Sequence, residues 1–207
     1  MSHLSPLPSP LFSMSSEIAT LFNESPNSAS VKTYVEAVAK RAGSETVPDP
    51  EVKAYTDAVY FNYYTLGLSL LFVPPQGSKV DASTSDYDTL TLDGVDIFNV
   101  LKDAAPTKGK VYSSFPLPLE ITPANDSESK LSITADSTGQ DLVKVLGEPS
   151  RKGGGPGPSS GSISIWCEWG KLGIMVEFGG KDARGPQAWE KGKDAKWKVI
   201  SLFAPKE

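Results

Sequence analysis

The stretch YFNYYTLGLSLLF, residues 60–72, opens with four aromatic residues and continues as an apolar run interrupted by Gly67. Its composition and the turn-forming residues around it predict two β-strands, roughly at 55–64 and 66–73. Successive side chains of a strand point to opposite faces of its sheet. One stripe is therefore expected to form the core, and the alternate side chains face the other way; the core stripe is Leu66, Leu68, Leu70 and Phe72.

A second stretch repeats this pattern at an offset of 106 residues. In WCEWGKLGIMVEF, residues 166–178, Trp166 matches Tyr60 and Trp169 matches Tyr63. A Leu-Gly pair and a Phe then follow at the same spacing as in the first stretch. Such matching at a fixed offset is the sequence signature of an internal repeat.

A predicted helix precedes each stretch, and a third predicted strand follows it. Apolar residues at helical spacing indicate the helices within 28–43 and 137–150, and each helix ends at a Gly. The third strands align at an offset of 110 residues, which pairs Tyr87 with Trp197. We therefore predict an α+β protein of two tandem αβββ repeats, whose strands form one curved antiparallel sheet with the helices on one face.

The repeat divides the chain into three parts. Residues 1–27 are rich in Ser and Pro and are predicted to be a disordered tail, in which Met14 offers a second possible start. Residues 28–123 form the first αβββ repeat with a connecting strand, and residues 124–207 form the second repeat. The segment RKGGGPGPSSGS, which starts at Arg151, is predicted to be a flexible loop.

A sheet with helices on one side leaves aromatic side chains on its other, open face. Tyr and Trp are the residues most enriched at protein-binding hot spots, so we expect this face to bind a partner. The alternative is that another segment, such as 103–123 or the N-terminal tail, covers it. The predicted partner-binding residues are Tyr60, Asn62, Tyr64, Tyr87, Trp166, Met175 and Trp197.

The composition argues against several kinds of catalytic chemistry. The chain has one histidine, His3, and one cysteine, Cys167, which leaves no Ser-His-Asp or Cys-His pair. We therefore predict no catalytic residue, no metal site and no cofactor. A hydrolase that uses only carboxylates, such as Asp57, Glu168 or Glu177, remains a weaker alternative.

A basic segment, 181–198, occupies the position of a hairpin loop. Basic residues interleaved with Trp189 and Trp197 are in principle typical of a nucleic-acid or phosphoinositide site. Acidic residues dilute the segment, so a charged hairpin tip is the preferred interpretation and no nucleic-acid partner is predicted. The basic residues are Lys181, Arg184, Lys191, Lys193 and Lys196.

The sequence also bears on the location of the protein. No apolar run is as long as a membrane-spanning helix requires, and the N-terminal residues lack the basic start of a signal peptide. A single cysteine excludes an internal disulfide framework. We predict a cytoplasmic protein without a transmembrane segment.

Residues 55–99 resemble the phagosome assembly factor family, in which an aromatic strand leads into Thr-Leu-Gly-Leu and then Leu-Phe. Here Thr65, Leu66, Gly67 and Leu68 follow such a strand, Ser69 replaces the family's Asp, and Phe98-Asn99 is similar to a later segment of that family. The helix ending in DLVKVLGEPS, followed by aromatic strands, is more widely similar to the repeat of β-lactamase inhibitory proteins and outer-membrane assembly lipoproteins. The first resemblance implies an interaction protein that binds a β-propeller and phosphoinositide membranes during autophagy.

Taken with the aromatic face, these observations predict a non-enzymatic, cytosolic protein-binding module or adaptor. The alternative is a small-ligand or lipid-binding protein, in which the sheet curls around an apolar pocket. The carboxylate-dependent hydrolase is the less favoured third hypothesis.

Overall fold

A computed structural model describes residues 16–80, 87–102, 109–121, 131–155 and 163–206 of the chain. Its α-helices are α1 (Ser16–Ala19), α2 (Ala29–Arg41), α3 (Gly139–Leu146) and α4 (Ala188–Lys191). Its strands are β1 (Glu51–Ala54), β2 (Val59–Tyr63), β3 (Leu68–Val73), β4 (Thr91–Phe98), β5 (Leu119–Ile121), β6 (Leu131–Ile133), β7 (Arg151–Gly155), β8 (Ile163–Trp169), β9 (Ile174–Phe178) and β10 (Trp197–Phe203).

One large antiparallel sheet of eight strands dominates the molecule, in the order β1-β2-β3-β4-β10-β9-β8-β7. Strands β5 and β6 form a separate antiparallel pair. The two halves of the large sheet meet at β4 and β10, where Ile97 lies opposite Ile200 and Val95 opposite Leu202. The chain is therefore a mixed α/β protein with a few short helices, as the sequence predicted in outline.

The same turn joins the two inner strands of each half. A single 3₁₀ turn, Tyr64–Leu66 in the first half and Gly170–Leu172 in the second, leads into a left-handed glycine. Gly67 has φ +61° and Gly173 has φ +66°, a conformation that glycine adopts without the steric cost of a Cβ atom. This agreement explains why the Leu-Gly pair occurs in both stretches.

Strand pairing assigns the side chains of the large sheet to two faces. On the helix-covered face Tyr63 borders α2, and Phe178 borders α3 at Gly139. Away from the edge strands β1 and β7, whose Val52 and Lys152 are exposed on this side, the side chains on this face are buried except for the partly buried Phe61. They are Val59, Phe61, Tyr63, Leu68, Leu70, Phe72, Leu92, Val95, Ile97, Ile165, Cys167, Trp169, Ile174, Val176, Phe178, Trp197, Ile200 and Leu202.

The third strands differ from the prediction in both halves. Tyr87 precedes β4, and its ring packs against Phe61 of the helix-covered face with 5.7 Å between the ring centroids. In β10 a β-bulge at Lys198 puts Trp197 opposite Phe178, on the covered face, where Trp197 is 0% exposed. The expected open-face positions of Tyr87 and Trp197 were therefore wrong, because simple alternation does not anticipate a bulge or the true start of a strand.

Two segments are more ordered than the sequence predicted. Ile18 and Leu21 are buried in the core, so residues 16–27 are not a disordered tail, whereas residues 1–15 lie outside the described part. The glycine-rich residues Arg151–Gly155 form the edge strand β7 instead of a loop, and the remainder of that predicted loop, 156–162, is also outside the described part.

Candidate functional site

The open face, which is the side of the large sheet opposite α2 and α3, has a polar row across its middle. The pairing aligns Asn62, Ser69, Asp96 and Ser201 on four neighbouring strands. Ser69 Oγ donates a hydrogen bond to Asn62 Oδ1 at 3.0 Å, and Ser201 Oγ donates to Asp96 Oδ1 at 2.6 Å. Mutual hydrogen bonds satisfy these polar groups, so the row can remain in a largely buried position.

Burial changes the acid–base properties at this row. The pKa of the Asp96 carboxyl is raised because its burial disfavours the charged form, and the hydrogen bond from Ser201 opposes that shift. The pKa of the neighbouring Tyr60 is also raised, first by burial and then by the charge of Asp96. Burial therefore disfavours the charged forms of Asp96 and Tyr60 in the middle of the open face.

Large apolar side chains flank the polar row. All of them are intermediate in exposure, whereas nearly every apolar side chain on the covered face is buried. These half-exposed residues come from six of the eight strands, so they extend over most of the sheet. They are Tyr60, Leu71, Phe98, Trp166, Met175, Val199 and Phe203.

Tyr112 covers one part of this face. Its ring stacks on Phe98 with 3.6 Å between centroids and 4° between planes, and its hydroxyl donates to Asn62 Oδ1. The ring of Tyr64 lies 4.5 Å from that of Tyr112. Within 103–123, the segment expected as a possible cover, Tyr112 therefore covers the β2–β4 region. Residues 103–108 and 122–123 of this segment lie outside the described residues.

Lys and Arg side chains lie beside aromatic rings at both ends of the open face. At the β1 end, Lys53 and Lys110 both contact Glu51, and each ammonium lies within 6 Å of the Tyr64 ring. The pKa of Glu51 is lowered by its hydrogen bond with Lys110 in the first place. Two cations share one carboxylate here, which leaves an excess of positive charge.

The β7 end has the same arrangement. The buried Glu168 accepts hydrogen bonds from Arg151 at 3.3 Å and from Lys206 at 3.0 Å. The Arg151 guanidinium lies 5.8 Å from the Trp166 ring, and Lys206 Nζ lies 4.6 Å from the Phe203 ring. Both margins of the open face thus combine aromatic rings with an excess of cations.

The structure places the predicted partner-binding residues unevenly. Tyr60, Trp166 and Met175 are half-exposed on the open face, Tyr64 stands at its β1 end, and Asn62 lies buried within the polar row. Tyr87 and Trp197 do not belong to this face, because Tyr87 packs against Phe61 and Trp197 is buried on the covered face. Prediction from sequence missed Phe98, Tyr112 and Phe203. Alternation along β10 could have indicated Phe203, because Phe203 shares a face with Ser201, the residue opposite Met175.

The basic residues of 181–198 do not act as one exposed group. Arg184 Nε donates to Ser164 Oγ at 3.0 Å, and Lys196 forms an ion pair with Asp136. Lys181, Lys191 and Lys193 are exposed on short helical turns of the segment. The segment joins the antiparallel strands β9 and β10, as a charged hairpin tip would, and it is folded into α4 and two 3₁₀ turns.

The candidate hydrolase carboxylates are engaged or isolated. Glu177 accepts from Lys198 at 3.0 Å and Glu168 is held by two cations, while Asp57 is exposed near the start of β2. In the described ranges, no three His, Cys, Asp or Glu side chains are grouped so that they could hold a metal ion. The described helices are also all too short or too polar to cross a membrane.

Comparisons of the chain with models of protein families, with curated proteins and with solved structures find no match. The resemblance to the phagosome assembly factors, and the wider one to β-lactamase inhibitory proteins, therefore stay predictions from sequence.

Proposed function

We propose that this protein is a non-enzymatic binding module, and that the open face of its sheet binds another protein. The observation that carries the proposal is the contrast between the faces: apolar side chains are half-exposed on one and almost all buried on the other. Contiguous exposed apolar surface on a folded protein marks an interaction site. Trp166 and Tyr60, both aromatic, are the expected anchors.

The dimensions of the face favour a protein over a small ligand. Eight strands spaced about 4.8 Å apart make the sheet roughly 34 Å wide, and its strands are on the order of 20 Å long. The whole face, including the Tyr112 ring that lies over its β2–β4 region, therefore has a planar area of roughly 700 Å², close to the ~800 Å² that each partner contributes to a standard protein interface.

The charges indicate the chemistry of the partner. The middle of the open face is apolar and carries a hydrogen-bonded polar row, and its margins hold Lys53 with Lys110 and Arg151 with Lys206. Complementarity therefore favours a partner with an apolar contact surface and acidic residues at its edges. Binding is expected to weaken as the salt concentration rises.

We also propose that the two halves are tandem repeats. The β2–turn–β3 units correspond at an offset of 106, and β4 corresponds to β10 at an offset of 105, which matches Leu92 with Trp197. The extra residue of each bulge, Asp93 in one half and Lys198 in the other, falls at the same place. This correspondence supports duplication and replaces the offset of 110 expected from sequence.

The buried free thiol of Cys167 supports a cytoplasmic location, where thiols remain reduced. The resemblance to phagosome assembly factors supports a β-propeller as the partner, and an autophagic assembly at a phosphoinositide membrane as its setting. Identification of the partner therefore tests both the cytoplasmic location and the β-propeller in its autophagic setting.

The test compares two variants that each remove a tryptophan. Trp166→Ala/Met175→Ala alters the open face, whereas Trp189→Ala alters a 42% exposed tryptophan elsewhere. A protein captured from a source lysate by the wild type should be retained by Trp189→Ala and lost with the double variant. With the purified partner, we expect about thirtyfold weaker binding or more, since truncation of one hot-spot residue, here Trp166, costs about 2 kcal/mol or more.

Circular dichroism and urea denaturation establish first that both variants are folded. Capture of the same proteins by the wild type and by the open-face variant would contradict the proposal. Mapping by hydrogen exchange, with protection of β3, β4, β9 and β10 in the complex, would separate direct contact from an indirect effect.

A further inference from the structure

A cavity of about 430 Å³ lies on the helix-covered face, between α3 and strands β8 and β9. Its floor consists of Ile165, Cys167 and Phe178, which are at most 6% exposed. Val143 of α3 and Trp189 of α4 form its walls. A volume of this size is within the range of small-molecule sites, and it is separate from the open face.

Glycines allow the walls to approach each other. A Cβ atom on Gly192 would lie 2.1 Å from Ile165 Cδ1, and one on Gly139 would lie 2.7 Å from the Gly192 carbonyl oxygen. The first turn of α3 is thereby packed directly onto the Gly192 backbone. Gly139 and Gly192 both line the cavity, so part of its wall consists of backbone held by the packing of α3 and not of mobile side chains alone.

The rim of the cavity carries an excess of positive charge. Lys144, Lys152 and Lys193 line it together with a single acid, Glu148. Among the described residues none of the three lysines forms an ion pair, and Lys152 Nζ lies 5.7 Å from the Trp189 ring. An apolar interior with unpaired ammonium groups at its rim matches a ligand that has an apolar body and one negative end.

We propose that this cavity binds a small amphipathic carboxylate, whose hydrocarbon part contacts Ile165 and Phe178 and whose carboxylate meets the rim lysines. At about 30 Å³ per heavy atom, the share of one water molecule in the liquid, the volume holds roughly 14 such atoms. That size fits a medium-length aliphatic acid and is too small for a membrane lipid with two chains. The proposal does not depend on the partner-binding function of the open face.

Cys167, the only cysteine of the chain, supplies a reporter inside the cavity. Decanoate, kept below its micelle concentration, should slow alkylation of this thiol by N-ethylmaleimide in proportion to the occupied fraction. Decyltrimethylammonium, with the same chain and the opposite charge, should not slow it. Titration calorimetry of decanoate measures the same binding independently of the thiol.

Two pairs of variants test whether decanoate binds in this cavity. Val143→Phe fills the cavity and should abolish protection by decanoate, whereas Val145→Phe changes the same helix at a position that does not line the cavity. The Gln variant of the three rim lysines should bind decanoate about tenfold more weakly. A control variant with Gln at Lys171, Lys181 and Lys191 should bind it normally.

The rim variant replaces only exposed side chains and so remains informative even if Val143→Phe does not fold. The proposal is overturned if decanoate gives neither protection nor heat of binding. It is equally overturned if decyltrimethylammonium protects as well as decanoate, or if the rim variant binds decanoate as the wild type does.

Discussion

Gly67 shows how one residue determines the course of two segments. Its φ of +61° lies in the left-handed region, and a Cβ atom there would be 2.4 Å from the Ser113 carbonyl oxygen and 2.5 Å from the Phe115 nitrogen. The absence of a side chain lets residues 113–115 pass the end of the β2–β3 hairpin. Phe115 thereby enters the core while Tyr112 stays on the open face.

Gly67→Ala should consequently destabilise the protein by roughly 3 kcal/mol. The left-handed backbone accounts for about 1–2 kcal/mol, and the collision with the 113–115 backbone adds an overpacking cost of similar size. Gly43→Ala is the matched control, because Gly43 has φ +74° and open space around it. Urea denaturation measures both, and equal losses at the two positions would contradict the role given to the close approach.

Asp96 makes the stability depend on pH. Its pKa is raised in the folded protein by burial, so the folded state binds its proton more tightly than the unfolded state does. Stability from this group is therefore fully present below the ordinary Asp pKa, near 3.9, and is lost as the pH rises through the folded-state pKa.

Asp96→Asn should be more stable than the wild type at pH 7, with a difference that shrinks as the pH falls through the raised folded-state pKa of Asp96 and is gone below the ordinary Asp pKa. The Asn side chain can still accept the hydrogen bond from Ser201, so the change removes mainly the buried charge. Urea denaturation along a pH series measures the effect, with the exposed Asp93→Asn as the control for loss of one negative charge. A wild type more stable than Asp96→Asn at pH 7 would show that the charge is compensated.

At the scale of elements, hydrophobic alternation located the inner strands and their faces. Leu68, Leu70 and Phe72 are buried as predicted, since a period of two identifies the face wherever a strand is regular. The same rule failed at Trp197, because a one-residue bulge at Lys198 reverses the alternation and leaves no local signal. The prediction that Trp197 lies on the open face therefore failed because of a bulge that only the strand pairing reveals.

The ends of the elements were harder to predict for a related reason. Strand β4 runs through Asp93, Gly94 and Asp96, which are disfavoured in strands and normally indicate a turn. They are accommodated because their neighbours Val95 and Ile97 pair with buried residues of two adjacent strands. The candidate site was predicted in part: alternation indicated Tyr60, Trp166 and Met175, whereas Tyr112 reaches the face through a loop that periodicity does not describe.

At the scale of the whole molecule, the pairing of β4 with β10 holds the two halves together. Val95, Ile97, Ile200 and Leu202 meet there and are at most 1% exposed. Asn99 adds a polar link, since its Nδ2 donates to the Trp197 carbonyl oxygen and to the Ala135 carbonyl oxygen, each at 2.9 Å. Separation of the halves would expose this apolar strip and leave two long strand edges unpaired.

Fragments 1–123 and 124–207 should for this reason fail to form stable monomers when they are produced separately. Burial of each large apolar side chain contributes about 1.5–3 kcal/mol, so loss of the four-residue strip removes an amount comparable to the whole stability of a small domain. Mixing the fragments should restore a one-to-one complex with the circular dichroism spectrum of the intact chain. If β4 pairs instead with a second β4, as duplication of the repeat would permit, fragment 1–123 forms a dimer that its counterpart displaces. Sedimentation equilibrium measures each species. A cooperatively folded monomer of either fragment would contradict the inference that each half needs the β4–β10 pairing in order to fold.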